Sequence, residues 1–74
     1  MATIEVKSEI AGVVWKVLVA QDAQVSEDET LVILESMKME IPVTAPEDGV
    51  VKEIWIQEGS LVAEREVLLL LQTG

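Results

Sequence analysis

The sequence predicts an all-β domain, a flattened eight-strand barrel or sandwich made of two similar halves. Short runs rich in Val, Ile, Leu and Trp are separated by turn residues every several positions, which is typical of strands. No stretch keeps a 3.6-residue apolar rhythm for ten residues, so helices are not expected. The chain also repeats itself at a spacing of 37 residues. These three observations point to one small domain of duplicated β-structure.

The internal repeat aligns residues 4–35 with residues 41–72 without a gap. Ten of the 32 aligned pairs are identical, and they include a glycine pair and two glutamate pairs. A half of this size cannot hide its own apolar face. We therefore expect residues 1–74 to form a single domain in which the two halves pack face to face about an approximate two-fold axis.

The sequence predicts the same four strands in each half. In the first half they span residues 3–7, 12–20, 24–26 and 30–36, and in the second half 39–44, 49–57, 61–63 and 67–72. Asp22, Asp28 and the segments 46–49 and 58–60 supply residues that favour turns between them. Pro42 has no amide proton, so its strand is expected either at a sheet edge or with Pro42 at a position that is not hydrogen-bonded.

The second strand of each half contains an irregularity. Positions 14, 17 and 19 are apolar, as are their counterparts 51, 54 and 56. The step from 14 to 17 is odd, although strand side chains alternate with a period of two. A β-bulge near residues 15–16 and 52–53 would bring each set of three onto one face.

Composition excludes several classes of protein. Without Cys or His, the chain has neither disulfides nor the usual zinc ligands. Five Lys and Arg against 14 Asp and Glu give a net charge of −9, so nucleic acid is not an expected partner. The acidity favours solubility or attraction to basic enzyme surfaces. The start of the chain lacks a signal-peptide pattern, and the longest apolar run, 67–71, is too short for a membrane span. We expect a cytoplasmic protein with no membrane partner.

The two halves meet at Met37-Lys38-Met39, which is the candidate site. A two-fold relation makes this junction the counterpart of the region where the chain ends meet, so the turn is expected at the opposite end of the domain. With Met37 and Lys38 in the centre of the turn, Ser36 pairs with Met39. The turn lacks the Asn-Gly or Asp-Gly that stable hairpins favour.

The next pair outward is Glu35 with Glu40, two like charges that repel mildly across the hairpin. Taken alone, a turn lysine is a solvated charge, the methionines are core residues, and the glutamates belong to a solvated edge. At the junction of the repeat, however, a turn without favoured turn residues and a pair of opposed glutamates occur together. Several locally unfavourable choices at one place indicate a functional constraint.

Lysine suits a carrier, because its deprotonated amine attacks an activated carboxyl group to form a stable amide. An exposed lysine amine is almost entirely protonated at neutral pH. A separate enzyme must therefore remove the proton and bind the activated acid, and the domain is not expected to load itself.

The run Glu35-Ser36-Met37-Lys38-Met39-Glu40 resembles the Met-Lys-Met signature of biotin carboxyl carrier proteins, and essentially the whole chain is similar to the biotinyl/lipoyl attachment family. The resemblance implies biotin on Lys38, with Met37 and Met39 aiding recognition by a biotin protein ligase and by partner enzymes. The flanking recognition site is expected to include Glu35, Ser36 and Glu40 as well. It also implies that the domain is a non-catalytic carrier, which takes carboxylate from a biotin carboxylase to a carboxyltransferase acting on an acyl-CoA or similar acceptor.

The resemblance also identifies departures from the family pattern. Many members have glycine where Asp22, Asp28 and Arg65 stand. Asp tolerates a left-handed turn, whereas Arg65 indicates a turn of different shape.

Three other functions stay open. A lipoyl carrier resembles this chain in fold but usually has Asp-Lys-Ala at the tip, and some short members accept either biotin or lipoate. An unmodified structural barrel would leave Lys38 without a role. An enzyme is the weakest alternative, because the sequence offers no nucleophile–base pair, metal cluster or phosphate loop. The glutamates at 27 and 29 recur at 64 and 66, which indicates a turn pattern rather than an acid–base pair.

Overall fold

Eight strands form two antiparallel four-stranded sheets in the computed structural model, which describes residues 2–74. The strands are β1 (Ala2–Lys7), β2 (Gly12–Val17), β3 (Gln24–Val25), β4 (Thr30–Ser36), β5 (Met39–Thr44), β6 (Gly49–Ile54), β7 (Leu61–Val62) and β8 (Val67–Thr73). One sheet has the order β1-β8-β6-β3 and the other β5-β4-β2-β7. The predicted all-β class is confirmed. No helix in the described part of the chain is long and apolar enough to cross a membrane.

Each sheet takes two strands from each half of the chain. The short strand β3 of the first half pairs with β6 of the second, and β7 of the second half pairs with β2 of the first. Two four-stranded sheets face each other, but each sheet mixes strands of both halves instead of coinciding with one half. Exchange of the short strands gives backbone partners to residues on the otherwise free sides of β2 and β6. The registers keep the 37-residue spacing, since Val14 pairs with Leu34 and Val51 pairs with Leu71.

The predicted bulges are confirmed. The register of β2 against β4 shifts between residues 14 and 16, and that of β6 against β8 shifts between 51 and 53. The predicted strand ends at residues 20 and 57 were wrong, because β2 ends at Val17 and β6 ends at Ile54. Beyond the end of β2, the Leu18 amide still donates a hydrogen bond to Leu31 O, and the chain then crosses to the other sheet.

The core lies between the two sheets and consists of aliphatic side chains from both halves. Five leucines are fully buried: Leu31, Leu34, Leu68, Leu69 and Leu71. Valines fill the remaining space, including Val14 and its counterpart Val51. Pro42 lies on β5, which is the outer strand of its sheet, so the predicted edge position is confirmed.

Arg65 adopts the same left-handed backbone as its counterpart Asp28, with φ of 69° at both residues. The Arg65 amide donates to Ser8 O at 2.7 Å, and the Asp28 amide donates to Ala45 O at 2.8 Å. The expectation of a differently shaped turn at Arg65 was therefore wrong. The turn keeps its hydrogen bond and tolerates a non-glycine residue in a conformation that costs roughly 1–2 kcal/mol.

The turn between β4 and β5 lies at the end of the molecule opposite the described chain ends. Ala2 pairs with Thr73, so β1 begins where β8 ends. Strand β3 reaches this same end, because Val25 pairs with Gly49 beside β8. A tight turn leads from β3 into β4, and β4 then runs seven residues to Ser36, about 20 Å away. The molecule measures 36 × 17 × 17 Å.

Candidate functional site

Met37 and Lys38 are the two central residues of the turn that joins β4 to β5. Ser36 pairs with Met39 immediately before and after them, which confirms the predicted register. The φ angles are 52° at Met37 and 64° at Lys38, the pattern of a type I′ hairpin turn. Asn and Gly favour these angles, whereas a residue with a longer side chain pays roughly 1–2 kcal/mol at each position. The tip therefore holds two residues that weaken the turn.

The side chains of this turn project into solvent. Lys38 is exposed, and its amine has no hydrogen bond or ion pair with the residues that the structure describes. Met37 is 92% exposed and Met39 is 64% exposed. The methionines are therefore not core residues, and their apolar surface is available to another molecule.

Glu35 and Glu40 face each other across the hairpin, one residue pair behind the turn, as the sequence predicts. Both side chains are exposed, and directly opposed like charges destabilise a hairpin by roughly 0.2–1 kcal/mol. Together with the left-handed turn residues, this pair makes the tip locally unfavourable. The acidic pair also borders the only lysine of the hairpin with negative charge.

Gly12 supports the base of the turn, a role that the sequence analysis missed. A Cβ atom at Gly12 would lie 2.7 Å from Glu35 O and 3.4 Å from the Cβ of Ser36. Real Cβ atoms do not approach a backbone oxygen so closely, so β2 can pack beside the tip only with glycine here. The signal in the sequence was the alignment of Gly12 with Gly49 in the repeat. A Cβ atom at Gly49 would likewise lie 2.5 Å from Gln72 O.

One glutamate of each repeated pair, Glu29 in the first half and Glu66 in the second, closes a turn. The Glu29 carboxylate accepts the Ser26 amide at 3.0 Å, and the Glu66 carboxylate accepts the Ala63 amide at 2.9 Å. Carboxylates that accept backbone amides stabilise loops, which confirms the predicted turn pattern. Within residues 2–74, no group of three or more acidic side chains could hold a metal ion.

The site offers one accessible primary amine on a short, defined turn with apolar and acidic neighbours. A free amine at a protruding tip can be acylated by an external enzyme, and the four-carbon stem then extends the attached group into solvent. The residues present therefore fit a covalently attached acyl group such as biotin or lipoate.

Comparison with known proteins gives a consistent result. The profile of the family described as "biotin-requiring enzyme" matches residues 2–71. The chain is 47% identical over 69 residues to the biotin/lipoyl attachment protein of Bacillus subtilis (strain 168), which covers 93% of this chain and 94% of the relative. It is 34% identical over 67 residues to the biotinylated protein TB7.3 homolog of Mycobacterium leprae (strain TN), covering 90% and 94%.

Among solved structures, the fold is similar to part of a single-chain, multi-domain long-chain acyl-CoA carboxylase. The TM-score is 0.92 at 25% identity, over 97% of this chain. The matched region is 7% of that much longer protein. The similarity therefore concerns one domain of the carboxylase.

Proposed function

We propose that this chain, which belongs to the biotin/lipoyl attachment family of biotin-requiring enzymes, carries biotin in amide linkage on the Nζ atom of Lys38. It is a biotin carrier domain of the kind found in biotin-dependent carboxylases. The observation that carries the assignment to Lys38 is the exposed, unpartnered amine on a turn whose two central residues both have positive φ.

Loading requires an amine that an enzyme can reach and deprotonate. A biotin protein ligase would take one proton from the Lys38 side chain so that Nζ can form an amide bond to the biotin carboxyl carbon. That bond would replace the acyl–phosphate bond of the biotinyl adenylate, with AMP as the leaving group and loss of a second proton from Nζ. Nothing in the described part of the chain holds the amine back, because it makes no hydrogen bond or ion pair there.

Attached biotin would supply carboxyl-transfer chemistry, accepting carboxylate at a biotin carboxylase and yielding it to an acyl-CoA or similar acceptor at a carboxyltransferase. The domain itself would hold the lysine that bears the biotin at an exposed end of the molecule. The tip lies at the end of a 36 Å molecule, away from the described chain ends. Two active sites can therefore take up the same tip in turn while the rest of the domain stays outside them. In this proposal the domain itself is not catalytic.

Intact-mass spectrometry after co-expression with a biotin protein ligase tests the proposal. The wild-type chain is expected to gain one biotinyl group, and Lys38→Ala is expected to gain none. Lys16→Ala removes another exposed lysine and serves as the matched control, which should be loaded like the wild type. Biotin on Lys38→Ala would move the site elsewhere, and a wild-type chain that stays unloaded would refute the proposal.

A lipoyl carrier, or a domain that accepts both groups, is the second candidate. It is supported by the relative from Bacillus subtilis, which is named for attachment of either biotin or lipoate. The exposed Lys38 amine is equally able to form the amide with lipoate. Incubation with lipoate, ATP and a lipoate protein ligase distinguishes the two, since a lipoyl mass increment that is absent from Lys38→Ala would show that the domain accepts lipoate.

A further inference from the structure

Four paired residues form a row across the outer face of one sheet, next to the Lys38 turn. Leu61 on β7 pairs with Val13 on β2, and Val13 pairs with Glu35 on β4. Glu35 in turn pairs with Glu40 on β5. Directly paired residues of antiparallel strands project from the same face. The row therefore has an apolar end at Leu61 and an acidic end at the hairpin.

Leu61 is 80% exposed, and the domain gains little from it. An exposed leucine contributes almost none of the stabilisation that burial would give. The two-residue strand β7 needs only its backbone and the buried Val62 to complete the sheet. Packing within the domain therefore does not account for a leucine at this position.

The repeat supplies an internal comparison. The counterpart row at the other end of the molecule consists of Gln24, Val50, Gln72 and Thr3, paired in the same order. Gln24 occupies the position equivalent to Leu61, on an equivalent two-residue strand. The same local backbone thus accepts a polar residue at the end that lacks the lysine. Leucine and the two glutamates occur only in the row beside Lys38.

We propose that Leu61 is a recognition residue for the enzyme that attaches biotin to Lys38. Its side chain enters an apolar hollow on that enzyme, and basic side chains beside the hollow face Glu35 and Glu40. This inference rests on the proposed function of Lys38 as the attachment site. It adds a contact outside the Met-Lys-Met turn itself.

The distances allow one enzyme to reach both features. Neighbouring strands lie about 4.8 Å apart, so Leu61 lies about 10 Å from Glu35 across β2, and roughly 15 Å from the turn. A standard protein interface buries about 800 Å² per partner, a patch of about 16 Å radius. An interface of this size centred on the Lys38 turn therefore reaches Leu61 as well. The acidic end of the row, on a chain of net charge −9, favours a partner with a basic border.

Steady-state loading of the full chain by a biotin protein ligase tests the proposal, with intact mass as the readout. Leu61→Gln copies the residue of the counterpart position and is expected to lower kcat/KM about tenfold, through a higher KM with kcat within twofold. Leu61→Met keeps an apolar side chain and is expected to stay within threefold of the wild type. Leu18→Gln changes another leucine, 52% exposed, and is expected to have no effect.

The thermal midpoint of each variant shows whether it is folded, and all three are expected within about 2 °C of the wild type. If Leu61→Gln is loaded as fast as the wild type, the proposal is overturned while the assignment of Lys38 stands. An equal loss in Leu18→Gln would also overturn it, because the effect would then not be local. If the wild type itself is not loaded, both the function and this inference fail.

Discussion

Because both central residues of the turn at the tip have positive φ, replacing them is expected to stabilise the domain while removing the attachment lysine. In the double variant Met37→Asn/Lys38→Gly, the two positive-φ positions receive the residues that a type I′ turn favours. Removing two unfavourable left-handed residues returns roughly 2–3 kcal/mol. The greater freedom of glycine in the unfolded chain offsets roughly 0.4–1 kcal/mol of this. Met37 is 92% exposed, so its lost packing matters little.

The net gain is about 1.5 kcal/mol, which corresponds to a rise in Tm of roughly 6–12 °C for a domain of this size. Differential scanning calorimetry measures the shift, and intact mass measures the accompanying loss of loading. Lys38→Ala should not be stabilised, because alanine is also unfavourable at positive φ. Arg65→Gly is the matched control for the backbone effect, since it relieves a left-handed residue outside the β4–β5 turn and should raise Tm by a few degrees.

A Tm of the double variant equal to or below that of the wild type would refute the reasoning. The turn would then not be a point of strain, and the choice of Met and Lys at its centre would carry no cost to folding. If Tm rises in Arg65→Gly but not in the double variant, the strain assigned to the β4–β5 turn is wrong, because both substitutions act on the same backbone conformation.

Three further outcomes are expected. Replacing Met37 and Met39 together by Ser should leave Tm within about 2 °C of the wild type, because both side chains are largely exposed; the rate of biotin loading, followed by intact mass, should fall about tenfold. Gly49→Ala should destabilise the domain by roughly 1–3 kcal/mol in urea unfolding, since its Cβ would lie 2.5 Å from a backbone oxygen, and an unchanged midpoint would contradict this packing. Glu35→Gln removes the repulsion with Glu40 and should raise the free energy of unfolding by a few tenths of a kcal/mol at low salt, with the difference vanishing at high salt.

The sequence allowed the all-β class, the bulges, the edge position of Pro42 and the register around Lys38 to be predicted, because each depends on local pattern. The strand ends at residues 20 and 57 were wrong because the apolar pattern continues after the backbone leaves the sheet. Leu18 and Trp55 follow the last strand residues and are apolar but exposed. Apolar character alone does not separate a strand residue from a crossing segment.

The parts of the site that were missed depend on contacts between distant segments. Leu61 lies near the tip only because β7 pairs with β2 of the other half, which no local pattern reveals. Gly12 is essential only because of the approach of β4. For both residues the repeat held usable information, since Gly12 aligns with a glycine and Leu61 aligns with a glutamine. The glycine shared by both halves marks a position where strand packing requires glycine. The difference between Leu61 and Gln24 marks a residue that only the row beside Lys38 carries.

The exchange of β3 and β7 between halves has a consequence for the order of events during synthesis. The β4–β5 hairpin is local and can form early, but Leu61 reaches the vicinity of Lys38 only once β7 has joined β2. That sheet is complete only when most of the chain has emerged from the ribosome. A ligase that contacts both the turn and Leu61 would therefore load folded domains faster than unfinished or misfolded chains.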